Sequence, residues 1–333
     1  MSRIRFSWFA WALLAYNIPV ILWGAFVRAS RSGDGCGDNW PHCGGGGEYI
    51  PTGAQAATWI EWTHRASTMV LGPLLLILAI WAFRAFPKGD AVRKAAVGVF
   101  VFTMLEAWIG RHLVLNKLVV DDASWQRAFW MSLHLANILS LLAALTLTAW
   151  WSSGNARLQL RGQGKLAAMW ALTFVGIVVV AVTGALSALG DTLYPVSSLA
   201  EGLRQDFAHD AALIIKTRPL HPLTATLISL FTAWVLVQTR RARADAFVQK
   251  AAPITLGLLC GQYVFGWWNL LMLAPIWAQL THLLLANLLW IGLVLTGAAA
   301  LAEQKQTAQD RVLDLAENEE KEVRGWSKVP SVS

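Results

Sequence analysis

The sequence predicts an all-α polytopic membrane protein, with eight transmembrane helices forming two pseudo-symmetric four-helix bundles in tandem parallel repeat. Three observations predict it. Of 333 residues, 56% are hydrophobic and 14% charged, whereas a soluble domain carries about 25% charge on its surface and interior together. The apolar residues gather in blocks of about 20, enough to cross a hydrocarbon core of roughly 30 Å. Short motifs of the first half also return, in the same order, in the second.

Eight spans are read at about 7–27, 59–83, 95–115, 127–151, 166–189, 219–238, 251–271 and 277–300. The basic start "MSRIRF" before an apolar run has the form of a leader. No cleavage site is evident and seven further spans follow, so it is read as the opening of span 1. The connections after spans 2, 4 and 6, "FRAFPKGDAVRK", "NARLQLRGQGK" and "TRRARADAFVQK", are basic, while those after the odd spans are mixed or nearly uncharged. By the positive-inside rule both termini are cytoplasmic, and "GDGCGDNWPHCGGGG" (33–47), between spans 1 and 2, faces outward. Net charge is +7, but it is spread over short loops, which reflects topology and excludes a nucleic-acid footprint. The Trp residues, 19 in all, suit interfacial belts and a cofactor-lined interior equally well. The organisation expected is a first bundle over 1–151, a cytoplasmic linker over 152–165, a second bundle over 166–300 and a charged cytoplasmic tail over 301–333.

The repeat justifies the division. "VILWGAFV" in span 1 matches "VVAVTGAL" in span 5, setting Gly24 against Gly184. "EAWIGRHL" in span 3 matches "QYVFGWWN" in span 7, setting Glu106 against Gln262 and Gly110 against Gly266. His64 and His134 in spans 2 and 4 correspond to His221 and His282 in spans 6 and 8. The offsets all lie between 148 and 160. Each unit holds an even number of spans, so both share one orientation, as parallel repeats do.

These four histidines lie near the outer starts of the even spans and hence at similar depth. A lone intramembrane histidine is most often a hydrogen-bonded packing residue, but ionisable groups in lipid are costly and usually serve a site. Two imidazoles at equal depth on facing helices can ligate a haem iron from both faces. Zinc fits less well, because no compact Cys/His cluster supplies three or four converging ligands. In "IEWTHRAS" Glu61 lies three residues before His64 and four before Arg65. It is either a surface partner for Arg65 or a carboxylate placed for proton transfer beside an iron ligand. The matching "RPLHPLT" has no carboxylate, which suggests chemistry in the first unit and electron holding in the second. Arg28, Arg111 and His112 are placed for propionate contact or for water at the interface. Glu106, inside span 3, needs a partner, a protonated state or a place on a proton path. His42 and His209 read as solvated loop residues, and Cys260 as packing. For Cys36 and Cys43 a metal clip, a structural staple and a redox pair are all open.

These residues resemble the haem A synthase family (the CtaA type) of cytochrome oxidase biogenesis. The resemblance covers roughly residues 10–300 and rests on "GAFVRASRSGDGCGDNWPHC", "EWTHR", "HLAN" and the single histidines opening spans 6 and 8. It implies two four-helix bundles in a bacterial inner membrane and oxidation of a ring methyl of haem O to a formyl group, giving haem A. His64 and His134 would hold the substrate haem, His221 and His282 haem b, each pair on one haem iron. Glu61 matches the family's essential carboxylate, Arg65 follows as a further propionate or proton-path contact, and Cys36 with Cys43 match an outer disulfide. Implied partners are haem O synthase, the cytochrome oxidase assembly machinery and a quinone or thiol redox partner, with a homo-oligomer left open. The chain departs from the family at Asp34, at Gly37, in the glycine run 44–47, and at Glu106, where glutamine is expected.

Other classes remain in view: a di-haem b-type electron carrier, a haem-delivery factor without oxidase activity, and a thiol–quinone oxidoreductase. A transmembrane carrier places its haems near opposite faces, but here all four histidines lie in one leaflet. The thiol enzyme wants a second cysteine pair that the chain lacks.

Overall fold

The computed structural model describes residues 3–43, 50–52 and 54–302. The glycine run 44–47 and the tail from 303 lie outside them. The described chain is helical: α1 (Arg3–Ala29), α2 (Ala56–Ala85), α3 (Ala91–Leu115), α4 (Trp125–Ser152), α5 (Gly164–Leu193), α6 (Leu199–Asp206), α7 (Leu213–Lys216), α8 (Leu220–Ala242), α9 (Ala246–Leu271) and α10 (Ile276–Ala300). Short polar connections start the helices. The Asp90, Ser124 and Asp245 side chains each accept a hydrogen bond from a first-turn amide of α3, α4 and α9, satisfying donors that a helix start leaves open.

Among the described residues, seven segments are long and apolar enough to cross a membrane: α1 to α5, Leu213–Ala242 and α10. The chain is a multi-pass membrane protein. The seventh expected span lies on α9, which has the length, but Pro253, Gln262, Tyr263 and Asn269 dilute its apolar residues and it is not among the seven. The connection after span 5 contains the short helices α6 and α7. Leu76, Ile80, Val101, Leu172, Leu230 and Ile254 are exposed on the helix flanks, where lipid rather than water is the matching solvent.

Helices α1 to α4 pack on one another, as do α5, α8, α9 and α10, and the two groups meet where α4 touches α5 and α10 and where α1 touches α10. Phe6, Leu75, Leu78, Val99, Leu142 and Leu145 form the core of the first group, and Trp290 and Val294 of α10 reach into it. Buried Trp290 donates Nε1–H to the Leu139 carbonyl at 2.8 Å, crossing from α10 to α4. A second core gathers Trp170, Val235, Leu236, Leu259 and Leu293. The starts of the histidine-bearing helices and the Cys36–Cys43 loop share one end. There Lys117 pairs with Asp38 at 3.0 Å and Arg31 pairs with Asp121, tying the α3–α4 connection to that loop.

Candidate functional site

The repeated glycines explain where the histidines sit. A Cβ added at Gly24 on α1 would stand 2.8 Å from His64 Cε1 on α2, and one at Gly184 on α5 would stand 2.9 Å from His221 Cε1 on α8. One at Gly266 on α9 would stand 2.8 Å from His282 Cε1 on α10. No real Cβ tolerates such distances, so each glycine is a cradle for an imidazole on the neighbouring helix. Gly110, the fourth of the set, has nothing within 4 Å. His134 is held instead by a side chain.

That side chain is Glu106, whose Oε1 lies 2.8 Å from His134 Nδ1. Buried Asn137 holds the carboxylate in turn, donating Nδ2–H to Glu106 Oε2 and, at 2.9 Å, to the Phe102 carbonyl. In the second half Gln262, the counterpart of Glu106, places its amide nitrogen 3.3 Å from His282 Nε2. His221 donates Nδ1–H to the Val180 carbonyl at 3.2 Å, beside Thr183 Oγ1 at 3.5 Å. That bond leaves Nε2 with a free lone pair, the arrangement usual for a metal-binding imidazole.

One pair of rings comes together. His221 and His282 have centroids 6.4 Å apart with planes at 82°. An imidazole nitrogen binds a metal at about 2.0–2.1 Å, so two rings sharing one ion have centroids about 6 Å apart. The pair therefore has the spacing to take one metal centre between its rings. In the first half Gly24 seats the His64 ring, whose Nδ1 is buried without a hydrogen-bond partner, and Glu106 meets His134. The donor set of each half is two imidazoles, which suits a haem iron whose other ligands come from the macrocycle.

Glu61 is engaged from several sides. It is 3% exposed, with Arg65 at 8%. Arg65 donates through Nε (3.1 Å) and Nη2 (2.5 Å) to Glu61 Oε1. The Cys36 amide donates to Glu61 Oε2 at 2.8 Å. Arg65 Nη1 then reaches the carbonyls of Asn39 (2.6 Å) and His42 (3.1 Å). The pair is thus buried under the loop rather than at an open surface, and it pins that loop to α2. Gly35 fits the same junction, since a Cβ there would stand 2.5 Å from the Ala57 backbone. Cys36 and Cys43 form a disulfide, and both are buried.

The remaining site candidates separate. Arg28 donates Nη1 to the Ala188 carbonyl (2.8 Å) and Thr192 Oγ1 (2.6 Å), and Nη2 to Gln279 Oε1 (2.8 Å). It bridges α1 to α5 and α10 and so ties the two helix groups together. The His112 ring packs on Trp130 at 4.1 Å between centroids and on Trp108 at 5.8 Å, with Asn116 Nδ2 at 3.2 Å from Nδ1. Arg111, His42 and His209 are exposed. Cys260 is exposed too, against the expectation that it packs, because the buried face of α9 runs through Ala252, Thr255 and Leu259.

Sequence reasoning missed Arg218, although it stands three residues before His221 as Glu61 stands before His64. It is 7% exposed and pairs with Asp191 on α5 (3.2 Å) and Asp206 on α6 (2.9 Å), with Gln205 Oε1 accepting from Nη2 at 3.0 Å. Partial burial holds the Asp206 carboxyl above its ordinary value, against the pull of the Arg218 charge. The two halves thus carry opposite charges at one position, and each charge fastens the connection lying over its histidine.

The family model described as COX15-CtaA, cytochrome oxidase assembly protein, matches residues 7–294. A Thermus thermophilus protein named Protoheme IX farnesyltransferase is 39% identical over 297 residues, 89% of this chain but 48% of its own length. A protein named Heme A synthase from an Exiguobacterium species is 26% identical over 258 residues, 76% of this chain and 79% of that one. Another of that name from Geobacillus kaustophilus is 35% identical over 144 residues, 43% and 42% of the two chains. The chain spans about half the length of the Thermus relative it matches. With a family match running from α1 into α10, over helices that bring the histidines together, the chain belongs to the COX15-CtaA family of cytochrome oxidase assembly proteins.

Proposed function

We propose that this chain is a haem A synthase, an oxidoreductase of haem biosynthesis that oxidises the ring methyl of haem O to a formyl group. The observation that carries the reading is the close His221–His282 pair, together with Gly24, Gly184 and Gly266 cradling three of the four repeated rings. On this reading the eight long helices, α9 included, form two four-helix units, 1–151 and 166–300, joined by 152–165. His64 and His134 hold haem O as substrate, and His221 and His282 hold haem b. A bound haem b supplies one-electron transfer through its iron.

The chain's own part is to bind, orient and move a proton. Glu61, one turn before His64, is the group placed to exchange a proton near the reacting edge, with Arg65 and the Cys36 amide fixing its carboxylate. Arg28 and Arg65 direct donors to protein acceptors, which leaves Arg111 and His112 for propionate contact. The Cys36–Cys43 bridge reads as a staple that holds a lid over the first site, since buried sulfurs are poorly placed for exchange with a thiol partner. The orientation is that of a bacterial inner-membrane protein with cytoplasmic termini and an outward cysteine loop. A protein that farnesylates protohaem IX is the natural supplier of the substrate, and cytochrome oxidase assembly its destination.

Co-production with a haem O source, followed by pigment extraction, tests this reading. Haem A in the extract supports the synthase. An extract with only haem b or haem O selects the carrier or delivery readings.

A further inference from the structure

The two histidine pairs are alike in their rings and unlike in what touches them. Glu106 and Gln262 hold matching places, four residues before Gly110 and Gly266, and each meets the histidine of the following long helix. One carries a carboxyl group and the other a neutral amide, and they meet different nitrogens. A carboxylate only accepts, so beside His134 Nδ1 it favours the proton on that nitrogen and leaves Nε2 with its lone pair. Gln262 instead donates towards His282 Nε2, and among the described residues no carboxylate pairs with that ring. Asn137 shows that Glu106 is built into place. It is buried, it donates to Glu106 Oε2, and its second bond to the Phe102 carbonyl fixes the amide. A carboxylate within a membrane span is costly, yet here it is aimed at one atom of one ring.

We propose that Glu106 is a positioning residue that sets the tautomer of His134 and makes it a more electron-rich ligand than His282, so that the two sites differ in redox character. The proposal deepens the reading above and rests on it. A carboxylate on the far nitrogen of a metal-bound imidazole orients the ring and raises its basicity. A more basic axial ligand favours the oxidised iron and lowers its reduction potential. The Glu106–His134 contact would thus favour the oxidised state of an iron held in the first site, while the amide leaves the second as a site of higher potential.

The test is a spectroscopic redox titration of the full-length, haem-loaded protein in detergent. Glu106→Gln is expected to raise the midpoint potential of one haem, change its low-spin electron paramagnetic resonance signal and leave the other haem in place. Unchanged potentials on both haems, or equal shifts on both, overturn the proposal. If Glu106→Gln does not assemble, Asn137→Ala keeps the anion and releases its orientation. It should move the same haem in the same direction by less, and no movement again overturns the proposal. Failure of the underlying reading looks different: the protein would then lose no haem on His134→Ala.

Discussion

Gly24 and His64 touch across the α1–α2 interface, at a separation that leaves no room for a methyl group: the added Cβ would stand 2.8 Å from Cε1. The same relation at Gly184 and Gly266, and its absence at Gly110, make a controlled comparison. Alanine at Gly24, Gly184 or Gly266 should displace a ring, destabilise the fold by about 1–3 kcal/mol, and lower the haem content of its own half. Gly110→Ala should leave haem content unchanged. Haem per chain in the four purified variants checks this.

The Glu61–Arg65 pair predicts two distinct outcomes. Glu61→Ala leaves a buried guanidinium unpaired, which costs about 3–5 kcal/mol, and frees the Cys36 amide, so thermal unfolding should occur at lower temperature. Glu61→Gln keeps the volume and an acceptor for Cys36, so haem binding should persist while haem A formation is lost. Full turnover in the glutamine variant would reduce Glu61 to a partner of Arg65.

Cys36→Ser should cost about 2–3 kcal/mol, the loop-closure value for so short a loop, without abolishing haem A formation under oxidising or reducing conditions. The loop would still be tied to α2 by Arg65 at the Asn39 and His42 carbonyls. Denaturation midpoints, with haem analysis of the same preparations, read both effects. Loss of product with stability intact would make the pair a redox relay.

Arg28→Lys should weaken the junction between the two helix groups. A lysine ammonium cannot reproduce the planar fork that serves Ala188, Thr192 and Gln279 together. The expected loss is about 2–3 kcal/mol, with haem content retained in both halves. Chemical denaturation followed by the haem spectrum distinguishes this from a propionate role, in which haem would leave first.

Much of this arrangement was legible in the residues. The apolar blocks locate the long helices to within a few residues, and the paired offsets single out Gly24, Gly184, Gly110 and Gly266 alike, of which only Gly110 cradles no ring. Among the described long helices α9 falls outside the seven apolar spans, and Gln262, which meets His282, stands within it. Arg218 was hidden because its carboxylate partners, Asp191 and Asp206, are 27 and 12 residues away and meet it only when α6 folds over the start of α8. Glu106 was visible as an anomaly, but its partners Asn137 and His134 emerge only from the packing of α3 on α4.

The proposed chemistry turns on each half holding one haem between its two histidines. Haem stoichiometry of the purified chain, set beside that of His134→Ala and His282→Ala, measures this. Two haems are expected in the unsubstituted protein and the loss of a different one in each variant, with haem A formation abolished by His134→Ala. Retention of both haems in both variants would overturn the assignment.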